Sequence, residues 1–239
     1  MFITCHMIAS LDGRLLPARW SEPAEPYDVS GVYEAAASKL EGEGWIVGRT
    51  TISEYCEEIR TAEPAPLRAE GEPVPEGFTG DRGGRLIAVA FDPKGKLRPG
   101  LSTLPTGEHL VLVLSPRVAE SHLAELRSQG VSYVFEGAEG DEAARMAAAL
   151  DAIEARFGVK HLLLEGGGII NGAFLKAGLI DAISVLVCPA LDALHSAPSI
   201  FGYVGAPDER PAENVRLALT SSETMAGGVV WLRYRVENL

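Results

Sequence analysis

The chain has 239 residues, 46% of them hydrophobic and 23% charged, the proportions of an ordinary globular protein with enough apolar side chains for a sizeable core. A formal charge of −12, unrelieved by any Lys/Arg cluster, argues against a polyanion such as nucleic acid as a partner. No apolar run approaches bilayer-spanning length, and the N-terminal MFITCHMIAS carries no basic leader or small-residue cleavage site, so no membrane association and a cytoplasmic location are expected.

In chain order, strand-like runs rich in Val, Ile and Leu alternate with helical patterns, the order of an α/β sheet covered by helices. FITCHMIAS is the first strand, GVYEAAASKL a helix, GWIVG a short strand and TISEYCEEI a second helix. The segment from Glu63 to Gly84, dense in Pro, Gly and Glu, predicts a long loop, either a solvated linker or a lid. RLIAVAF and HLVLVLS are strands, AESHLAELRSQG a helix and VSYVF a strand. DEAARMAAALDAIEARFG carries apolar residues at helical spacing and closes on a glycine suited to the position just past a helix. After KHLLLE and the glycine run, AISVLVCPAL, VRLALTSSETM and GVVWLRYRV are strands with no helix between them, which predicts an antiparallel section completing a mostly parallel sheet. Residues 1–239 read as one domain without repeats.

The run LLLEGGGIINGAFLKAG, Leu162 to Gly178, is the chemically informative stretch. Glycines at 166, 167 and 168, at the carboxyl end of a strand, free the backbone for positive φ and for amides converging on one point, and a helix starting near Ile169 adds the positive end of its dipole. That arrangement suits a phosphate or diphosphate; the competing reading is a tight strand-to-helix bend. Two further strand ends carry arginines: Arg49 before Thr50 and Thr51, whose hydroxyls either cap the next helix or bond a diphosphate, and Arg117 after Ser115. In an acidic chain these arginines are either solvated surface residues or a local positive site. The cysteines Cys5, Cys56 and Cys188 lack C-x-x-C spacing and the five histidines lack ligand spacing, so buried thiols and no metal site are expected. His6, in the first strand, faces either the core or a cleft, and Trp20 either walls a pocket or packs on the surface.

Taken together, VGRTTISEY, VLSPR and LEGGGIINGAFLKAG resemble the dihydrofolate reductase-like superfamily, in which three such turns contact a reduced nicotinamide dinucleotide phosphate. MIASLDGRL, RLIAVAFDPKGKL and LLLEGGGIINGAFLKAGLIDAISVLVCPAL are more closely similar to the pyrimidine reductase domain of the riboflavin-biosynthesis deaminase/reductase. The resemblance spans most of the chain and implies a three-layer α/β/α fold, a homodimer, and NADPH bound at the carboxyl ends of the central strands. By position it implies that Ala9, Thr51, Ser115 and the turn Gly166, Gly167, Gly168, Ile169 and Asn171 touch the cofactor, with Arg49 and Arg117 at its 2′-phosphate. It also implies that Glu165 lies on the substrate side, bordered by Asp12 and Arg14.

Glu165 and Asp12 sit beside tight turns at strand ends, where an acid can orient a polar small-molecule substrate or relay a proton accompanying hydride transfer. Arg14 suits a substrate phosphate or carboxylate. The sequence departs from the riboflavin enzymes at ISEYCEEIR, where those enzymes continue into D-D-P-x-L; Tyr55 stands where an acid is expected. No zinc-deaminase motif is present. The expectation is an NADPH-dependent reductase of a nucleobase-ribose or pterin-like compound, the alternatives being a reductase of another substrate on the same scaffold and a non-catalytic NADPH-binding module.

Overall fold

The computed structural model describes residues 1–69 and 72–239. The chain runs β1 (Phe2–Ser10), α1 (Val29–Ala37), β2 (Gly44–Gly48), α2 (Arg49–Tyr55), β3 (Arg60–Thr61), β4 (Ile87–Phe91), β5 (Leu97–Arg98), β6 (His109–Leu114), α3 (Glu120–Ser128), β7 (Ser132–Phe135), α4 (Glu142–Phe157), β8 (His161–Leu164), α5 (Gly168–Lys176), β9 (Ala182–Cys188), β10 (Val215–Thr224) and β11 (Val230–Asn238). Every predicted strand and helix forms, the strands being mostly parallel with a short antiparallel section and helices flanking them. The chain divides into two compact units, one formed by Met1 with Glu43–Leu162 and the other by Phe2–Gly42 with Leu163–Leu239.

In the first unit β2, β4, β6 and β7 lie side by side in that order, all parallel. All residues of β4 and β6 are buried, and apart from His109 they are apolar, the continuous runs required of parallel strands covered on both faces. Burying a Leu or Ile in such a position contributes about 2 kcal/mol. His109, at the start of β6, is kept inside by a 2.6 Å hydrogen bond between its Nε2 and the Ser132 hydroxyl on β7. The loop predicted over 63–84 is fastened to this unit: Phe78 exchanges both backbone bonds with Tyr133, and Gly80 N donates to Ser132 Oγ at 2.9 Å. Residues 70 and 71 of that loop lie outside the described residues. The two-residue pair β3 and β5 has no counterpart in the sequence reading, because two residues are too few to carry a periodicity.

The second unit places β1 parallel to β9, with Thr4 opposite Ala182 and Ser10 opposite Cys188. β11 then pairs antiparallel with β9, and β10 with β11, as the three consecutive C-terminal strands predicted. Its core gathers Val32, Ala36, Leu186, Cys188, Val229 and Trp231, with Trp20 packed against them, so that side chain is a packing residue. Cys5, Cys56 and Cys188 are all buried free thiols. Among the described residues no helix is long and apolar enough to cross a membrane, and no cluster of His, Cys, Asp and Glu could hold a metal ion.

α4 forms because its apolar residues recur on one face, burying Met146, Ala149, Leu150, Ile153 and Phe157. It stops at Gly158, whose φ of 68° is the left-handed cap that glycine adopts without cost. Asp141 caps its start, accepting from Ala144 N at 2.9 Å. Asp141→Ala is expected to lower unfolding stability by about 1 kcal/mol, read from urea melts, with the fold otherwise intact.

Candidate functional site

In the second unit the strand-to-helix junction after β8 carries the cis peptide Gly166-Gly167, and Gly166 has a φ of 97°. Positive φ had been expected for the whole run, but only Gly166 adopts it: Gly167 is the N-cap at φ −66° and Gly168 opens α5 one residue before the predicted start. The reason for glycine at 168 is proximity. A Cβ there would run into the Ser199 carbonyl, and Gly202 N donates to Gly168 O at 2.9 Å. Gly172, one turn on, is likewise held close to Gly202, whose carbonyl would lie 2.7 Å from an added Cβ. The tight bend of the sequence reading falls at Gly166, while Gly168 and Gly172 serve a close approach of backbone.

The N-cap of α5 is Gly167, which has no side chain of its own to cap the helix, and Ile169 beside it is 67% exposed. The positive end of the α5 dipole points at this turn. Asn171 departs from the expected place: it is fully buried, and its Nδ2 donates to the Ile200 carbonyl at 2.9 Å, so it supports the turn from beneath. Ala9 is buried in β1, opposite Val187.

The structure puts Asp12 and Arg14 to work on the same neighbouring segment. Asp12 accepts from Ser10 Oγ at 2.6 Å, Ala193 N at 2.8 Å and Asp192 N at 3.1 Å. Arg14 Nη1 donates to the Ala197 carbonyl at 2.8 Å, and its backbone bridges Ser199. Both residues, expected at a substrate pocket, thus fasten residues 192–199, while α5 holds 199–202. The Ser10 hydroxyl first, then the Ala193 amide, hold the Asp12 carboxyl down to about 2. Glu165, between β8 and the glycines, is hydrogen-bonded by the Tyr33 hydroxyl from α1. Burial and then this carboxylate push the Tyr33 phenol well above its ordinary range. Tyr33 escaped the sequence reading because it lies within an apolar helical stripe that reads as packing.

The first unit carries the two arginines. Arg49 Nη1 lies 4.0 Å from Asp92 Oδ1, and Asp92, fully buried at the end of β4, accepts from Leu97 N at 2.7 Å. Burial raises the Asp92 carboxyl despite that amide. An acid closing the apolar run VAFDP was the available signal for this residue. The cap of α2 is Gly48, so the threonine hydroxyls do not cap the helix; Thr51 is half-buried in its first turn. Ser115 Oγ accepts from Arg117 N at 3.3 Å, a turn-closing bond that leaves Arg117 exposed. Arg117, Pro116, Arg68 and Glu72 border a shallow depression of about 160 Å³. Arg68 is already paired there with Glu72 at 3.0 Å and Glu120 at 3.7 Å.

A match to the RibD C-terminal domain extends over residues 1–231, and the chain belongs to that family. A curated relative from Methanothermobacter thermautotrophicus, 2,5-diamino-6-ribosylamino-4(3H)-pyrimidinone 5′-phosphate reductase, is 24% identical over 148 residues, which is 62% of this chain and 65% of that protein. The chain thus spans about two thirds of the length of the curated relative it matches. The crystal structure of a pyrimidine reductase-like protein from Corynebacterium diphtheriae is similar with a TM-score of 0.68 at 17% identity, over 100% of this chain and 92% of that one. RibD of Acinetobacter baumannii is similar with a TM-score of 0.63 at 20% identity, covering 99% of this chain and 58% of the other. These likenesses establish the dihydrofolate reductase-like fold expected from the turn motifs.

Because the Asp12 carboxyl lies below its ordinary value of 3.8, its contribution to stability is present above that pH and is lost as pH falls toward 2. Asp12→Asn is expected to lower Tm at pH 7, with the gap to the wild type narrowing between pH 4 and pH 2. A gap constant across that range in thermal melts would show that the three bonds to Asp12 do not stabilise its charge.

Proposed function

We propose that this protein is an NADPH-dependent reductase of a ribosylaminopyrimidine phosphate, acting in riboflavin biosynthesis. The observation that carries the reading is family membership over residues 1–231 combined with a glycine turn at the start of α5. The turn suits a dinucleotide diphosphate: Gly166 takes the positive φ, and α5 points the positive end of its dipole at the turn. Reduced nicotinamide, when bound, supplies the hydride that converts the ribosyl carbon toward ribitol.

The residues of the chain then have separate tasks. The amides at Gly167, Gly168 and Ile169 hold the diphosphate, while Asp12, Arg14 and Asn171 keep residues 192–202 in place. Glu165 gives a proton to the heteroatom bonded to the carbon that accepts the hydride. Arg49 and Arg117, with Thr51 and Ser115 at the same two strand ends, select the 2′-phosphate and so favour NADPH over NADH. Ala9 contributes through its backbone alone, its side chain being buried. We also infer a cytoplasmic homodimer: β10 pairs with β11 and exposes Leu217 and Leu219, 51% and 58% accessible, along a ten-residue strand suited to a second copy. Light scattering reads that assembly directly.

A second reading, reduction of another substrate, draws on Tyr55. It is exposed at the end of α2, bonded to the Thr106 hydroxyl at 3.3 Å, where an acidic D-D-P segment is expected in the riboflavin enzymes.

Calorimetric titration with NADPH and NADH, followed by an assay of NADPH oxidation by the ribosylaminopyrimidine phosphate, tests both readings. Gly167→Asp places a carboxylate at the diphosphate and is expected to abolish NADPH binding, whereas Glu165→Gln should leave Kd within about 2-fold and lower kcat by about 100-fold. Arg117→Ala should reduce the preference for NADPH over NADH by about 10-fold. Unchanged cofactor affinity in Gly167→Asp would refute the diphosphate assignment, and NADPH binding without oxidation by any pyrimidine would leave a binding module.

A further inference from the structure

A row of buried polar groups runs through the second unit to Glu165. Trp231 Nε1 donates to Ser184 Oγ at 2.7 Å. His6 Nδ1 lies 2.9 Å from the same hydroxyl, and His6 Nε2 lies 3.4 Å from the Tyr33 carbonyl, which can only accept. A neutral ring with its proton on Nε2 therefore lets Nδ1 accept from the Ser184 hydroxyl. The imidazole stacks on the Tyr33 ring with centroids 4.4 Å apart and planes 25° from parallel. His6 is fully buried, so protonating it would leave a charge inside the core; burial lowers it to about 4 and keeps it neutral at pH 7.

The stack and the α1 backbone fix the Tyr33 ring, and its hydroxyl meets two acceptors. One is the His6 carbonyl at 3.2 Å, the other the Glu165 carboxylate. A phenol has one hydrogen and two lone pairs, so it serves one acceptor at a time. The ionised carboxylate attracts that hydrogen more strongly than a neutral carbonyl does. A protonated Glu165 reverses the arrangement: it donates to the phenol oxygen, whose hydrogen turns to His6.

We propose that Tyr33 is the positioning residue of Glu165, its hydroxyl turning between the Glu165 carboxylate and the His6 carbonyl so that Glu165 keeps a hydrogen-bond partner whether ionised or protonated. The inference rests on the reading of Glu165 as proton donor and names the group that makes its proton transfer repeatable. In the step itself the Glu165 proton passes to the substrate heteroatom, the Tyr33 hydrogen swings from His6 to the new carboxylate, and solvent returns a proton to Glu165. Tyr33 keeps its own hydrogen throughout, because burial and the charges of Glu165 and Glu34 disfavour the phenolate.

Tyr33→Phe preserves the ring and its stack while deleting the hydroxyl. Carbon-13 carboxyl NMR, with the Glu165 resonance identified by its loss in Glu165→Gln, should show the Glu165 titration midpoint rising by about one pH unit in Tyr33→Phe. Incorporating 3-fluorotyrosine at position 33, a stronger donor of the same shape, should move the midpoint the other way and guards against a Phe variant that folds poorly. In turnover, Tyr33→Phe should lower kcat by about 10-fold or more, shift the basic limb of the kcat profile, where Glu165 loses its proton, to higher pH and leave the Kd for NADPH unchanged. Coincident Glu165 titrations in the wild type and both Tyr33 variants overturn the proposal. If the wild type reduces no pyrimidine while the titration still moves with Tyr33, the proposed reaction fails and the coupling of the two side chains stands.

Discussion

Two stretches of backbone lie against each other where α5 begins, and this close approach exists because position 168 has no side chain. The Ser199 carbonyl occupies the space a Cβ would take, and the Gly202 amide closes the contact on the Gly168 carbonyl. Interiors at this density accept no extra methyl without moving backbone, so the junction and the segment 199–202 hold one geometry together. The other groups nearby extend the same constraint: Asn171 grips Ile200 from below, Arg14 grips Ala197, and Asp12 grips the amides of 192 and 193. The start of α5 is thus set in a rigid frame. Electrostatic recognition of an anion by backbone depends on such rigidity, because dipoles free to turn would spend the binding energy in becoming ordered.

Charge in this protein is handled by pairing. Asp92 lies beside the strand-end Arg49, and Glu72 and Glu120 lie beside Arg68. Asp92 itself is held by the Leu97 amide with its side chain fully buried. In the second unit the buried donors and acceptors from Trp231 to Tyr33 are paired with one another. Such a row resists water and rearrangement because breaking one link strands its neighbour without a partner.

Particular residues show how far sequence reasoning reaches. The apolar runs of β4 and β6 and the stop at Gly158 each follow from local chemistry, and the structure places them as expected. The three C-terminal strands follow from the absence of any helical pattern between them. Asp12 and Arg14 were legible as residues beside a tight turn, yet their work on 192–199 was not, since their partners lie about 180 positions away. Asn171 reads as part of a phosphate turn from its neighbours, and only its burial reveals it as a support.

The sequence alone determined the alternation of strands and helices, the antiparallel end and the glycine junction, because periodicity and the freedom of glycine are properties of neighbouring residues. It also carried the family resemblance. Tertiary structure alone decided which glycine bends the chain and which admits a neighbouring backbone, that Asp12 binds amides of a distant loop, and that Tyr33 reaches Glu165. The last two depend on atoms brought together across more than a hundred residues and the glycine contact on about thirty, and no local pattern encodes the side on which such a partner arrives.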